Sequence, residues 1–117
     1  MLIDDDADEP EMFINALREA RIAFKCTWAA SADEGMLRLQ SITPDLIVLD
    51  FNMPKINGLE MLQSLKSSAA HATIPVIMYS ATMDKDLMGK AVRSGALACI
   101  RKPYDMHELP VLLKPFL

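Results

Sequence analysis

Five short apolar runs, each separated from the next by a stretch of helical periodicity, constrain this chain more than any single residue does. That alternation is the mark of strand–helix units laid on a parallel sheet. Leu2-Ile3 is a stub of a first strand, so the expectation is a short strand or a trimmed chain. From Pro10 to Arg21, Phe13, Ala16, Leu17 and Ala20 recur at helical spacing, with proline where a first turn tolerates it. "FKCTWAA" alternates instead, with Phe24, Cys26 and Trp28 on one face and Lys25 and Thr27 on the other, which suits a half-exposed edge strand. Ser31 followed by Glu34 reads as a capping box for a second helix reaching Ser41.

"DLIVLD" shows no alternation, as a strand covered on both faces should not. A third helix is expected after Asn57-Gly58, with Leu59, Leu62 and Leu65 turned to the core. "IPVIMYS" is a fourth strand, and a helix from Lys85 to Ser94 stops at Gly95. "ALACI" is a fifth strand, and Asp105 with Glu108 can cap a last helix whose first turn accepts Pro110. With the alternating strand at an edge, the expected architecture is a flavodoxin-like doubly wound α/β three-layer sandwich. Its five-stranded parallel sheet has the order 2-1-3-4-5, and residues 1–117 form a single domain.

Composition enters mainly by what it excludes. A formal charge of −4 argues against binding nucleic acid directly through its phosphates. No apolar run approaches the roughly 18 residues of a membrane span, and "MLIDDD" turns acidic too early for a signal sequence. Cys26 and Cys99 make neither a disulfide framework nor a zinc spacing, which fits reduced core thiols in a cytoplasmic protein.

The polar residues are placed more pointedly. Strand one runs into Asp4-Asp5, strand three into Asp50, strand four into Ser80 and strand five into Arg101-Lys102. Ligands of open α/β sheets bind at those carboxyl ends, where the strand order reverses. Asp4, Asp5 and Asp50 should converge there, and three such carboxylates call for a hard divalent cation, with magnesium the natural choice. A carboxylate nucleophile, a hydroxyl and an ammonium beside it suit phosphoryl transfer.

"LIDDDADE", "PDLIVLDFNMPKINGLEML", "PVIMYSA" and "IRKPYD", in that order across the whole chain, resemble the receiver domain of two-component response regulators. The resemblance implies that Asp50 accepts a phosphoryl group from a sensor histidine kinase or a histidine phosphotransfer protein. It implies a magnesium ion held by Asp5, Asp50 and the backbone carbonyl of Asn52, with Asp4 acting through water. Ser80 would bond a phosphoryl oxygen and Lys102 would pair with the phosphoryl charge. Asn52 and Thr82 would tune how fast water removes the group, and the Lys102–Pro103 bond would be cis. A downstream protein target would read the face formed by helix four, strand five and helix five, which leaves a homodimer through that face open. Such a domain turns over no separate substrate.

Receivers commonly carry a mobile aromatic three residues before the lysine; here that position is Cys99, so the aromatic half of the switch is absent or carried elsewhere. Two other classes remain as alternatives. One is a degenerate receiver acting as a constitutive interaction module. The other is an aspartyl-phosphate phosphatase, although Asn52 stands where that chemistry wants a second acid. Asp6, Asp8 and Glu9 read as acids favouring the start of the first helix, and Arg101 as a solvated arginine.

Overall fold

A computed structural model describes all residues from Met1 to Leu117. The chain runs β1 (Leu2–Ile3), α1 (Glu9–Glu19), β2 (Trp28–Ala29), α2 (Ala32–Arg38), β3 (Ile47–Leu49), α3 (Gly58–Ser67), β4 (Val76–Ser80), α4 (Lys85–Arg93), β5 (Ala98–Arg101) and α5 (Leu109–Leu113). All strand pairs are parallel, and the order across the sheet is β2-β1-β3-β4-β5. This is the expected flavodoxin-like sandwich.

Successive strand residues feed opposite layers because a strand's side chains alternate in direction. Ile47, Leu49, Val76 and Met78 join Met61, Leu62 and Leu65 of α3 and Ala91 of α4 on one face. Val48, Ile77 and Tyr79 join Phe13 and Leu17 of α1 and Leu109 and Leu113 of α5 on the other. The central strands β3 and β4 are buried throughout, which is why their sequences show no alternation.

The local departures each have a physical cause. "FKCTWAA" pairs only at Trp28–Ala29, because β1 offers only Leu2 and Ile3 as ladder partners. Phe24, Cys26 and Trp28 nevertheless pack on the α1/α5 side, as their alternation requires. In α3 it is Met61, with Leu62 and Leu65, that is buried, while Leu59 is only half-buried. Ser31 caps α2 by accepting from the Glu34 N–H at 3.1 Å, but Glu34 reaches back to the Ala30 N–H instead of closing the box. That helix ends at Arg38, short of Ser41. The closed capping box is at Asn57 and Glu60, at the start of α3. Asp105 accepts from the His107 N–H in a 3-10 turn, and α5 proper is five residues long.

Gly58 is required for space. A Cβ there would lie 2.1 Å from the Asp50 carbonyl oxygen, against backbone that cannot swing aside. Gly58→Ala is therefore expected to destabilise the fold by about 2 kcal/mol or more and to displace the Asp50 loop, read as a lower denaturation midpoint with shifted Asp50 and Phe51 amide resonances. Gly95, by contrast, has a φ of 104°, the conformation that lets it end α4.

Candidate functional site

Each polar residue of the site is set by the end of a strand. Asp4 follows β1, and its N–H bonds the Ala29 carbonyl; Asp50 follows β3, and its N–H bonds the Ile3 carbonyl. Lys102 follows β5, tied by its N–H to the Ser80 carbonyl at 2.9 Å. Because the strand order reverses between β1 and β3, these ends share one crevice.

Carboxylate oxygens of Asp4, Asp5 and Asp50 lie within 4.8 Å of one another. Asp4 is 0% and Asp50 6% exposed, and Asp5 faces solvent. This donor set is all oxygen and all anionic, which fits a hard cation such as magnesium. Burial pushes the Asp50 carboxyl up from its ordinary range, and the Asp4 charge pushes it further, against the pull of Lys102. A carboxyl whose pKa rises on folding penalises the fold once it ionises. Asp50→Asn is thus expected to melt a few degrees above the unsubstituted protein at pH 7 in metal-free buffer. The gain should be full above the folded pKa of Asp50 and vanish below the unfolded value of about 4, as thermal melts across pH will read.

The remaining polar residues form a network around this cluster. Lys102 Nζ lies 2.7 Å from Asp4 Oδ2 and 3.6 Å from Glu9 Oε2. It also sits 5.5 Å from the centroid of the Tyr79 ring. Burial alone would lower the lysine pKa, but the Asp4 hydrogen bond and the charges of Asp4, Asp50 and Glu9 raise it. Asn52 Nδ2 donates to Ser80 Oγ at 3.3 Å and to Thr82 Oγ1 at 3.1 Å, fastening the β3 loop to the β4 loop. The Asn52 N–H approaches Asp50 Oδ1 at 3.4 Å. Cys99 is half-buried against the α3/α4-side core.

Several expectations need correction. The chain contains no cis peptide bond, so Lys102–Pro103 is trans; an X–Pro bond accepts either isomer at about 1 kcal/mol. Arg101 is exposed, as expected, and in addition donates to the Met83 carbonyl at 3.1 Å. Glu9, read as an acid of the helix start, does open α1 but is 4% exposed and faces Lys102. Its neighbour Glu11 stays exposed on the same turn. Sequence reasoning also passed over Trp28, whose indole N–H bonds the Asp4 carbonyl at 2.8 Å, and Tyr79. The available signal for Glu9 was its helical spacing to Phe13, which puts an acid on the buried stripe of α1.

A family model for the response regulator receiver domain matches residues 1–114. The chain is 36% identical over 104 residues to hybrid signal transduction histidine kinase D of Dictyostelium discoideum, covering 87% of this chain and 7% of that protein. It is 32% identical over 117 residues to the phosphate regulon transcriptional regulatory protein PhoB of Pseudomonas aeruginosa, covering 100% of this chain and 50% of that one. The chain thus spans half or less of the length of these curated relatives. Among solved structures, that of the phosphorylated cyanobacterial phytochrome response regulator RcpA superposes with a TM-score of 0.85 at 25% identity, covering 97% of this chain and 86% of that one.

Proposed function

Since the chain belongs to the family of response regulator receiver domains, we propose that it is a phosphorylation-dependent signalling switch with Asp50 as phosphoryl acceptor. The observation that carries the reading is the meeting of Asp4, Asp5 and Asp50 in one crevice. The donor is a phosphorylated histidine of a sensor kinase or phosphotransfer protein. An Asp50 carboxylate oxygen attacks phosphorus, the phosphorus–nitrogen bond breaks, and the electron pair stays with the donor imidazole. The product is an aspartyl phosphate.

Bound magnesium would neutralise charge on the transferring phosphoryl oxygens, held by Asp5, Asp50 and the Asn52 carbonyl, with Asp4 acting through water. The chain's own residues do the positioning. β3 is a buried central strand and aims Asp50 with little freedom. Ser80 donates its hydroxyl to a phosphoryl oxygen, and Lys102 turns from Asp4 to the phosphoryl charge. Moving Ser80 draws on Asn52 and Thr82, so the change spreads through the β4 loop toward α4.

The output face supports the same reading. Val92, Leu97, Tyr104 and Val111 are exposed on and beside α4, β5 and α5, as a surface that docks a protein target in the cytoplasm would have them. Self-phosphorylation and loss of the group are then its only chemistry. A constitutive module would be expected to lack one of Asp4, Asp5, Asp50, Ser80 or Lys102, and all five are present. The phosphatase reading lacks its general acid, because Asn52 holds that position. Intact-mass measurement after incubation with a small phosphoryl donor, with and without magnesium, tests the proposal.

A further inference from the structure

Glu9 is buried without needing to be. An acid at a helix start interacts with the helix dipole from the surface, as Glu11 can. Burying a carboxylate instead is costly unless a cation compensates it, and here the cation is Lys102. The compensation is partial. Glu9 Oε1 has no hydrogen-bond partner, and the buried hydroxyl of Tyr79 has none either. One is an acceptor and the other a donor. The two lie within reach of each other short of a formed hydrogen bond, for the Tyr79 phenol is pushed up first by burial, next by the Glu9 charge and then by hydrogen bonding toward Glu9. Lys102 meanwhile makes its ion pairs with Asp4 and Glu9, and none with Asp50.

We propose that Glu9 is a positioning residue that holds Lys102 in the resting site, so that engaging a phosphoryl group on Asp50 requires Lys102 to leave Glu9 and the Tyr79 hydroxyl to replace it. This rests on the phosphoryl-switch reading and adds a threshold to it. When Lys102 turns away, Glu9 becomes an unpaired buried carboxylate. The Tyr79 hydroxyl, within reach of Glu9 but without a formed hydrogen bond at rest, limits that cost by closing onto it as donor. Glu9 therefore opposes the engaged state, and Tyr79 favours it.

The two residues should shift the equilibrium in opposite directions, which a merely structural role would not produce. The probe is beryllium fluoride, a phosphoryl mimic, titrated in magnesium against the whole chain. The Lys102 side-chain resonance is followed in parallel, both with the probe and without it. Glu9→Gln is expected to bind the probe about five- to tenfold more tightly, and Tyr79→Phe to bind it more weakly by a similar factor. The Lys102 resonance of ligand-free Glu9→Gln should already move. Unchanged affinity and an unchanged Lys102 resonance in Glu9→Gln, with the unsubstituted protein binding normally, overturn the inference and leave the switch intact. Should that variant fail to fold, Tyr79→Phe decides alone, and unchanged affinity there overturns the inference. Failure of the unsubstituted protein to bind the probe overturns the phosphoryl reading, and this inference with it.

Discussion

Asp50→Asn is expected to abolish a phosphoryl adduct that the unsubstituted protein forms in the presence of magnesium. The reason is chemical before it is structural. A carboxylate oxygen carries the charge and lone pair needed to attack phosphorus, and a neutral amide does not. Asn keeps the size and most of the contacts of Asp, so the loss reads the nucleophile and not the fold. The predicted gain in metal-free melting temperature provides an internal check that the variant is folded. The adduct should be single and lost in alkaline hydroxylamine, as an acyl phosphate is. An adduct persisting in Asp50→Asn would assign the chemistry to another side chain, with exposed Asp5 the first to examine. An adduct formed equally well without magnesium would overturn the metal assignment to Asp5 and Asp50.

The second large effect belongs to Lys102. Replacing it with Met keeps most of the stem and deletes the charge, leaving Asp4 and Glu9 buried with no cation beside them. Breaking a buried pair costs about 3–5 kcal/mol. Since the Lys102 side chain is itself 17% exposed, the low end of that range applies. A loss of about 3 kcal/mol should lower the melting temperature by roughly 10 °C in metal-free buffer. Magnesium should restore part of it, because a divalent cation in the same crevice offsets the same carboxylates. The variant should still take up a phosphoryl group slowly on Asp50, yet show little change at Ser80 and α4. An unchanged melting temperature would make Lys102 a solvated lysine and remove its pairing with Asp4 from the account.

The residues that were legible in the sequence share a property. Asp4, Asp5, Asp50, Ser80 and Lys102 each sit at the end of an apolar run, so strand position alone places them at one edge of the sheet. Glu9 shares no such mark. It occupies a helix whose local sequence explains an acid well enough, and only the packing of α1 against the sheet turns that acid toward Lys102. Tyr79 was hidden for a similar reason. Within "IPVIMYS" it is one more apolar strand residue, and its hydroxyl acquires meaning only from the neighbour that a helix brings to it.

What the amino-acid order determined by itself was periodicity and punctuation: five apolar runs, the helical stripes between them, and the polar residues that end four of the five strands. From these the layers, the strand order and the acidic crevice follow, because a backbone with periods of 2.0 and 3.6 can bury those patterns in few ways. Tertiary structure alone decided the rest. It shortened β2 to the two residues β1 could pair, and it required Gly58 to be without a side chain against the Asp50 carbonyl. It also set Lys102 against two carboxylates, Asp4 and Glu9, in the resting site. The physical reason is range: periodicity acts between near neighbours in sequence, whereas ion pairs and steric contacts depend on distances in space that exist only after the layers have closed.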